Sequence, residues 1–357
     1  MWGNGKINAV SGGIYWYGHM LTRGIDKKQQ VFYDFSAFEI LRGKKSFLVC
    51  DKVFDSLNID FPYDYVMFSE FVSNPLYKDV EAGINKLRKN KCDVIVSVGG
   101  GSCIDTAKAI KYYSNVDLPL MAIPTTAGTG SEATHFAVIY KDGEKQSIAD
   151  ERLLPDYVIL QPCLLETLPV YQKKCTMLDA LCQAIESWWS RSSTVESIEY
   201  SKKAIKLILE NMSGYFKNTD KGNSNMLAAS NLSGKAINIT TTTAPHAMSY
   251  KLSSLYGLPH GHAVALCLPK VWRYMGNFSD IANALGSQNY NQASSFFEYL
   301  LSDLEISTPQ KISSDDIEVL VRSVNAERLR NNPIDLSVDA IRNLYKEILE
   351  VKNDKKN

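Results

Sequence analysis

An excess of charge of either sign is absent from this 357-residue chain, in which Lys and Arg number 39 and Asp and Glu also number 39. A chain without net charge is not drawn to the phosphates of nucleic acid or to an anionic bilayer. Long apolar runs are lacking too, because none approaches the roughly 20 residues that cross a membrane. We therefore expect neither nucleic acid nor a membrane among the partners.

The cysteines lack the pattern of a disulfide framework. They are seven, an odd number, scattered along the chain and without CxxC spacing, which is typical of proteins that keep their thiols reduced. Residues 1–29 start with a segment rich in glycine and aromatics, without the basic end and apolar centre of a signal peptide. We expect a cytoplasmic protein in which residues 1–29 are a poorly ordered extension, with Met20 as an alternative start.

The composition that is present, 45% hydrophobic and 22% charged, is that of a globular protein large enough for two domains. Residues 30–162 alternate strand-like and helix-like segments, as a parallel α/β sheet does, with SFLVCD, YVMF, CDVIVSVG and LPLMAIP as strands. From 163 to 357 the segments become long and amphipathic. The pattern predicts an α/β dinucleotide-binding domain with a parallel sheet, followed by an all-α domain.

A glycine-rich turn stands directly after a predicted strand. Gly99, Gly100 and Gly101 let the backbone approach a ligand closely, and Ser102 is a good N-cap for a helix that begins near Cys103. The free N–H groups and the dipole at such a helix end bind phosphate. An empty turn between a strand and a helix would use the same residues, so this motif alone is a weak signal.

A second loop, PTTAGTGSE, follows the next predicted strand and concentrates hydroxyl groups with two glycines. Ligands of open α/β sheets bind at the carboxyl ends of the strands, where two neighbouring loops meet. Two such loops favour a nucleotide phosphate site over ordinary turn chemistry. The residues of the second loop expected to bind the cofactor are Thr125, Thr126, Thr129 and Ser131.

Three charged residues near these loops are further candidates for the cofactor site. Asp51, at the end of an earlier strand, could accept hydrogen bonds from the adenosine ribose and would repel a 2′-phosphate, which favours NAD(H) over NADP(H). The same residue could simply cap a turn. Asp105 and Lys108 lie three apart on the predicted helix, so Lys108 could reach the phosphates or the nicotinamide ribose, although an ordinary surface pair would look the same.

Donors for a divalent metal occur in the predicted helical domain. Asp179 and Gln183 share one face of a helix with apolar neighbours, where a buried carboxylate needs a strong partner. One straight helix would hold His246 and His260 about 20 Å apart. Because glycine and proline between them stop helices, we expect the chain to turn back and bring both imidazoles to one Fe2+ or Zn2+. Solvated polar pairs and structural histidines are the ordinary alternatives.

Together these motifs match a known family. The segments VGGGSCIDTAKAI, PTTAGTGSE, DALCQAIE and PHGHA have the order and spacing found in the iron-dependent alcohol dehydrogenases, which the chain resembles from about Gln30 to about Met275. The resemblance implies a nucleotide-binding α/β domain, a helical domain, and a metal with NAD(P)H in the cleft between them, the fold shared with dehydroquinate synthase. It places Asp179, His246 and His260 on ligand positions, and we expect a homodimer.

The chain departs from this family at two positions. The fourth ligand is usually a histidine, where this chain has Gln183, whose amide oxygen is a harder and weaker donor than imidazole. Tyr250 stands near the substrate, where many relatives carry a histidine. Proton transfer therefore has three candidates, which are Tyr250, His262 and a chain of water molecules.

The glutamine, together with TTTTAPHAMSY and GLPHGHAVAL, resembles a subgroup that reduces phosphonoacetaldehyde to 2-hydroxyethylphosphonate. The expected activity is that of an NAD(P)H-dependent reductase of a small aldehyde. An anionic aldehyde would need cations near the metal, and Lys251 and Lys235 are the nearest in sequence. Two other functions stay open: a lyase like dehydroquinate synthase, which cycles NAD without net oxidation, and a non-catalytic nucleotide-binding protein, which the missing histidines would suit.

Overall fold

The computed structural model describes residues 29–310 and 312–350. The extension predicted over residues 1–29 lies outside this range except for Gln29. The side-chain amide of Gln29 donates to the carbonyl oxygens of Glu132 and Pro155, at 2.7 and 3.1 Å. These bonds tie the start of the described chain to the loops of the first domain.

The strands of the described chain all lie in its first half. They are β1 (Gln30–Phe32), β2 (Ser46–Cys50), β3 (Tyr65–Phe68), β4 (Val94–Gly99), β5 (Leu120–Pro124), β6 (Phe136–Lys141), β7 (Glu144–Ala149) and β8 (Tyr157–Ile159). Six of them form a parallel sheet in the order β1-β8-β5-β4-β2-β3. Every residue of β2, β4 and β5 is buried, as expected of central parallel strands covered on both faces.

Helices cover the two faces of this sheet. One face packs against α1 (Tyr77–Asn90) and α2 (Gly101–Ser114), and the other packs against the short helix Phe35–Leu41. The prediction that Ser102 caps α2 was wrong, because α2 begins at Gly101 and its N-cap is Gly100. The Ser102 hydroxyl lies within the first turn, where it accepts a hydrogen bond from the Asn74 N–H at 3.3 Å.

An antiparallel hairpin, β6 and β7, was not predicted. Its turn is Asp142 and Gly143, both with positive φ (53° and 80°), as a type I′ turn requires. The Asp-Gly pair between two strand-like runs was the local signal for it. The hairpin carries Lys145 and Ser147, and Ser147 contacts the second half of the chain through Arg328.

The second half is helical, as predicted, and the predicted boundary near Pro162 lies between β8 and the first of its helices. A large apolar cluster joins these helices. They are α3 (Val170–Trp189), α4 (Val195–Phe216), α5 (Asp220–Thr240), α6 (Ala244–Tyr256), α7 (His260–Met275), α8 (Ser279–Ala284), α9 (Tyr290–Asp303), α10 (Ser314–Ser323), α11 (Ala326–Leu329) and α12 (Val338–Ile348). No described helix combines the length and the apolar character needed to cross a membrane.

The turn between α6 and α7 follows the prediction closely. Gly257 is the C-cap of α6 with a φ of 65°, and α7 begins at His260 directly after Pro259. Gly261 then allows α7 to touch α3, because a Cβ at this position would lie 2.0 Å from the carbonyl oxygen of Cys175. This backbone contact brings the first turn of α7 against the segment of α3 that carries Asp179.

Candidate active site

Three of the predicted metal ligands come together from three helices. Asp179 lies on α3, His246 on α6 and His260 at the start of α7. The Asp179 Oδ1 atom is 3.3 Å from Nε2 of His246 and 3.9 Å from Nε2 of His260. The three donor atoms all lie within 4.8 Å of one another. Two imidazoles and a carboxylate at these distances form a cluster that a divalent cation could join.

The electrostatics of this cluster favour one positive charge within it. Burial alone would raise the pKa of Asp179, but His260 and His246 outweigh burial and hold that pKa below its usual value. Burial would lower the pKa of His246, but Glu186 and Asp179 raise it to about 9. Burial lowers the pKa of His260, and the neighbouring His246 lowers it further. Without a bound ion, a proton on His246 is therefore favourable, and a second proton on His260 is not.

Glu186 holds His246 in place, although sequence analysis did not single it out. This carboxylate is fully buried on α3. Its Oε1 accepts hydrogen bonds from the Thr243 N–H and hydroxyl at 3.0 and 2.9 Å and from the His246 N–H at 3.2 Å. Its Oε2 accepts from Nδ1 of His246, which leaves Nε2 to face Asp179. The signal in the sequence was the spacing of seven from Asp179, which puts both carboxylates on one helix face.

The side-chain amide of Gln183 is bonded to residues outside the cluster, and its place as a fourth ligand stays a prediction. Its Oε1 accepts a hydrogen bond from the Ser233 hydroxyl at 3.2 Å, and its Nε2 donates to the Thr129 carbonyl oxygen at 3.3 Å. A hydrogen bond from Gln183 also helps to lower the pKa of Asp179. The amide therefore orients a ligand and joins α3 to the second glycine loop, so the two predicted sites adjoin.

The two nucleotide loops also touch each other. The Thr125 N–H donates to the Gly99 carbonyl oxygen at 3.1 Å, and the Gly100 N–H donates to Asp51 Oδ2 at 3.0 Å. The predicted cofactor residues divide by exposure: Gly99, Thr125 and Ser131 are buried, whereas Asp51, Gly100, Gly101, Ser102, Thr126 and Thr129 are partly exposed. The second group lies at the carboxyl edge of the sheet, where the first turn of α2 leaves N–H groups for a ligand.

Asp105 and Lys108 have a different position from the one expected. Lys108 is fully buried, and its Nζ donates to the oxygen atoms of Ser131, Thr134 and Phe136 at 2.5–3.2 Å. Asp105 accepts from the Ser131 hydroxyl and, at 2.9 Å, from a backbone N–H of β6. Both side chains are turned into the protein, where they fix the second loop, and Lys108 does not reach out to the phosphates.

The two side chains among the three candidates for proton transfer lie in different surroundings. The Tyr250 ring stacks on His260, with ring centroids 5.6 Å apart and an angle of 3° between the planes. His262 has both ring nitrogens occupied, since Nδ1 accepts from the Tyr171 hydroxyl and Nε2 donates to the Ser307 carbonyl oxygen, both at 2.8 Å. His262 follows His260 by two residues on α7 and therefore points in another direction. Tyr250 adjoins the cluster, and a role of His262 in proton transfer stays a prediction.

Two cations lie against Tyr250 that the sequence did not indicate. The Lys145 Nζ is 3.0 Å from the centroid of the tyrosine ring, and the guanidinium carbon of Arg328 is 5.2 Å from it. Arg328 also donates from Nη1 to the Tyr250 hydroxyl at 3.0 Å and from Nη2 to the Ser147 hydroxyl. Lys251 and Lys235, which sequence proximity favoured, make none of these contacts among the described residues.

The fold and the cluster suit a metal-dependent dehydrogenase, and the similarity to known proteins shows the family. A model of the iron-containing alcohol dehydrogenases matches residues 32–162, and a model of the C-terminal part of the Fe-containing alcohol dehydrogenase family matches residues 174–349. The chain belongs to the iron-containing alcohol dehydrogenase family, which confirms the resemblance drawn from the four sequence motifs.

The names of individual relatives refer to different short substrates. A 1,3-propanediol dehydrogenase of Citrobacter freundii is 33% identical over 284 residues, covering 70% of this chain and 73% of the relative. A phosphonoacetaldehyde reductase of Streptomyces viridochromogenes is 34% identical over 222 residues, covering 55% of this chain and 56% of the relative. The sulfoacetaldehyde reductase of Bifidobacterium kashiwanohense, solved with NAD+, has a TM-score of 0.85 and 25% identity, covering 91% of this chain and 98% of that one.

Proposed function

We propose that this protein reduces a small aldehyde with NADH at a divalent metal site, and that phosphonoacetaldehyde, reduced to 2-hydroxyethylphosphonate, is the substrate to test first. The observation that carries the proposal is the cluster of Asp179, His246 and His260, with donor atoms within 4.8 Å of one another. It lies beside the glycine loops, joined to them by the Gln183–Thr129 hydrogen bond.

The donor set fits a divalent cation such as Fe2+ or Zn2+. Imidazole nitrogens and a carboxylate oxygen are ligands that both ions accept. A ligating histidine commonly donates its other N–H to a carboxylate, as His246 does to Glu186. When bound, the cation supplies Lewis-acid polarisation of the substrate carbonyl and stabilises the alcoholate in the reverse direction.

The partly exposed residues of the two loops suit the phosphates and ribose of the cofactor, which supplies the hydride. The N-terminus of α2, with Gly101 and Ser102, would hold phosphate, and the Thr126 and Thr129 side chains lie on the neighbouring loop. Asp51 would accept hydrogen bonds from ribose hydroxyls and repel a 2′-phosphate, which supports NAD(H) over NADP(H).

Tyr250 is the residue that we propose to deliver the proton. Its hydroxyl accepts a hydrogen bond from Arg328 and also bonds to the Thr242 side chain, and in this proposal its hydrogen passes to the substrate oxygen. Burial raises the pKa of Tyr250, although Arg328 opposes this shift, and the hydroxyl therefore stays protonated at neutral pH. The stacking of its ring on His260 keeps it beside the cluster.

A screen of NADH oxidation over short aldehydes tests the proposal. The set includes phosphonoacetaldehyde, sulfoacetaldehyde, succinic semialdehyde and propanal, with Fe2+, Zn2+ and Mn2+ each supplied to the metal-free protein. We expect one NADH consumed for each aldehyde reduced, only in the presence of metal, and His246→Ala should abolish turnover while NADH still binds.

Two results would contradict the proposal. Release of phosphate from a sugar-acid phosphate without net change in NADH would indicate the lyase reaction instead. NADH binding without any bound divalent ion after anaerobic reconstitution would indicate a non-catalytic nucleotide-binding protein. Cytoplasmic location and a homodimeric state stay predictions from the sequence.

A further inference from the structure

Arg328 differs in its partners from the other half-buried arginines of the described helical domain, Arg273 and Arg342, each of which pairs with a carboxylate. Arg273 pairs with the Glu298 carboxylate at 2.8 Å. Among the described side chains, the guanidinium of Arg328 hydrogen-bonds only to the hydroxyls of Tyr250 and Ser147. A guanidinium has five N–H donors in a planar fork, a geometry that matches the oxygen atoms of carboxylate, phosphonate or phosphate. Arg328 therefore retains donors for an anion that the described protein does not supply.

The neighbourhood of Arg328 also holds an excess of positive charge. Lys145 contacts the same tyrosine ring, and no described carboxylate lies within ion-pair distance of either cation. Burial lowers the pKa of Lys145 well below its usual value, and the charge of Arg328 lowers it further. Asp105 and Asp179 oppose this shift but form no ion pair with Lys145, and two partly desolvated positive groups without a direct ion pair are costly to the fold. An anion bound between or beside them would remove that cost.

The position of Arg328 relates this anion site to the reacting centre. Arg328 hydrogen-bonds to Tyr250, and Tyr250 stacks on His260 of the cluster. The guanidinium carbon of Arg328 and the His260 ring centroid lie 5.2 and 5.6 Å from the centroid of the same Tyr250 ring. A short molecule with its carbonyl at the cluster would therefore direct an acidic group towards the guanidinium. Arg328 comes from α11 and Ser147 from the hairpin of the α/β part, so this site lies where the two halves of the chain meet.

We propose that Arg328 binds the acidic group of the substrate and selects short aldehydes that carry a tetrahedral oxyanion, phosphonate or sulfonate. This inference rests on the proposed reduction of a small aldehyde and adds a specificity-determining residue to it. The carbonyl would lie at the Asp179, His246 and His260 cluster, and the cation at Lys145 would add to the attraction for the acidic group.

The test compares Arg328→Gln with Arg330→Gln, a matched control at an exposed arginine two residues away. Loss of a charge-assisted hydrogen bond should reduce kcat/KM for phosphonoacetaldehyde or sulfoacetaldehyde about 10- to 100-fold, mainly through KM. Loss of the Arg328–Tyr250 hydrogen bond should lower kcat for propanal and for the anionic aldehydes alike. The additional loss for the anionic aldehydes should lie in KM, and Arg328→Lys should recover part of it. Whichever of the two anionic aldehydes shows the larger loss identifies the preferred acidic group.

A binding measurement without turnover separates this inference from the proposed function. Titration of unreactive phosphonoacetate and sulfoacetate into the metal-loaded NAD+ complex should show about tenfold weaker binding in Arg328→Gln, with NADH affinity and thermal unfolding as checks of folding. Equal losses for charged and uncharged aldehydes, or weakened NADH binding alone, would overturn the role of Arg328 while the reductase stands. If Arg328→Gln binds the anions more weakly but the wild-type protein reduces no aldehyde, the anion site stands and the proposed reaction is rejected.

Discussion

The Glu186 carboxylate accepts the Nδ1 hydrogen of His246, so the opposite nitrogen of that ring faces Asp179 at 3.3 Å. The hydrogen bond fixes both the tautomer and the rotation of the imidazole. Because Glu186 also accepts from two N–H groups and a hydroxyl at the start of α6, it fixes the backbone that carries His246 as well. One buried carboxylate thus prepares the histidine for a cation before any cation binds.

Replacing Glu186 by glutamine should weaken metal binding about 10- to 100-fold, the usual effect of losing a carboxylate that orients a ligating histidine. A glutamine side chain has one acceptor oxygen, whereas the carboxylate has two. It can therefore accept either from the His246 ring or from the donors at the start of α6, and the imidazole loses its fixed orientation. Anaerobic titration of Fe2+ or Zn2+ into metal-free protein measures the change. Glu132→Gln is the matched control, because Glu132 is a buried carboxylate bonded to Asn231 at 3.2 Å. Equal losses in both variants would show a general effect of buried charge.

Gly261→Ala should separate His260 from the other two ligands. The added Cβ would lie 2.0 Å from the Cys175 carbonyl oxygen and 2.9 Å from the Asp179 Cβ, so α7 must move away from α3. We expect the free energy of unfolding to fall by about 1–3 kcal/mol, as for other overpacked contacts, and metal affinity to fall with it. Gly257→Ala is the control, because that position has open space and a left-handed backbone. It should lose stability but not metal affinity.

Gln183→Ala tests whether this residue is a ligand or orients one. The amide oxygen is bonded to Ser233 and the amide nitrogen faces Thr129, so we expect metal affinity to fall by less than about tenfold, the lower end of effects outside the ligand set. His246→Ala, measured in the same titration, should lose far more. If the two variants lose metal affinity to the same degree, the amide turns its oxygen to the cation and the set has four ligands.

The sequence predicted the parts of the site whose signals are local. The glycine and proline between His246 and His260 predicted the reversal that brings the rings to a centroid distance of 5.2 Å, since each residue acts on its own backbone. Arg328 and Ser147 are 181 residues apart, and neither carries a local signal for its partner. The inward turn of Lys108 depends on a loop more than 20 residues away, so helix spacing alone could not distinguish it from a residue that faces a ligand.

The pH dependence of stability should contain a contribution from Glu298, which links α9 to α7. Its carboxylate contacts Lys270 at 2.7 Å and Arg273 at 2.8 Å. The hydrogen bonds from Arg273, with those from Lys270, lower the pKa of Glu298 to about 2 from 4.5. Because the folded-state pKa lies below that of the unfolded chain, the stabilisation is complete above about pH 4.5 and is lost as the pH falls towards 2.

Glu298→Gln should therefore reduce the free energy of unfolding by about 1 kcal/mol at neutral pH, a value discounted for partial exposure to solvent. The difference from the wild type should shrink below pH 4.5, where the wild-type carboxylate begins to bind a proton in the unfolded chain. Urea unfolding between pH 3 and pH 7, followed by tryptophan fluorescence, measures the free energy of unfolding at each pH for both proteins.

Glu199→Gln, at an exposed pair with Lys202 at 3.2 Å, is the control. Its free energy of unfolding should differ from that of the wild type by the same small amount at every pH. A constant difference for Glu298→Gln across the whole acid range would mean that the carboxylate acts through packing and that its ion pairs with α7 do not stabilise the fold.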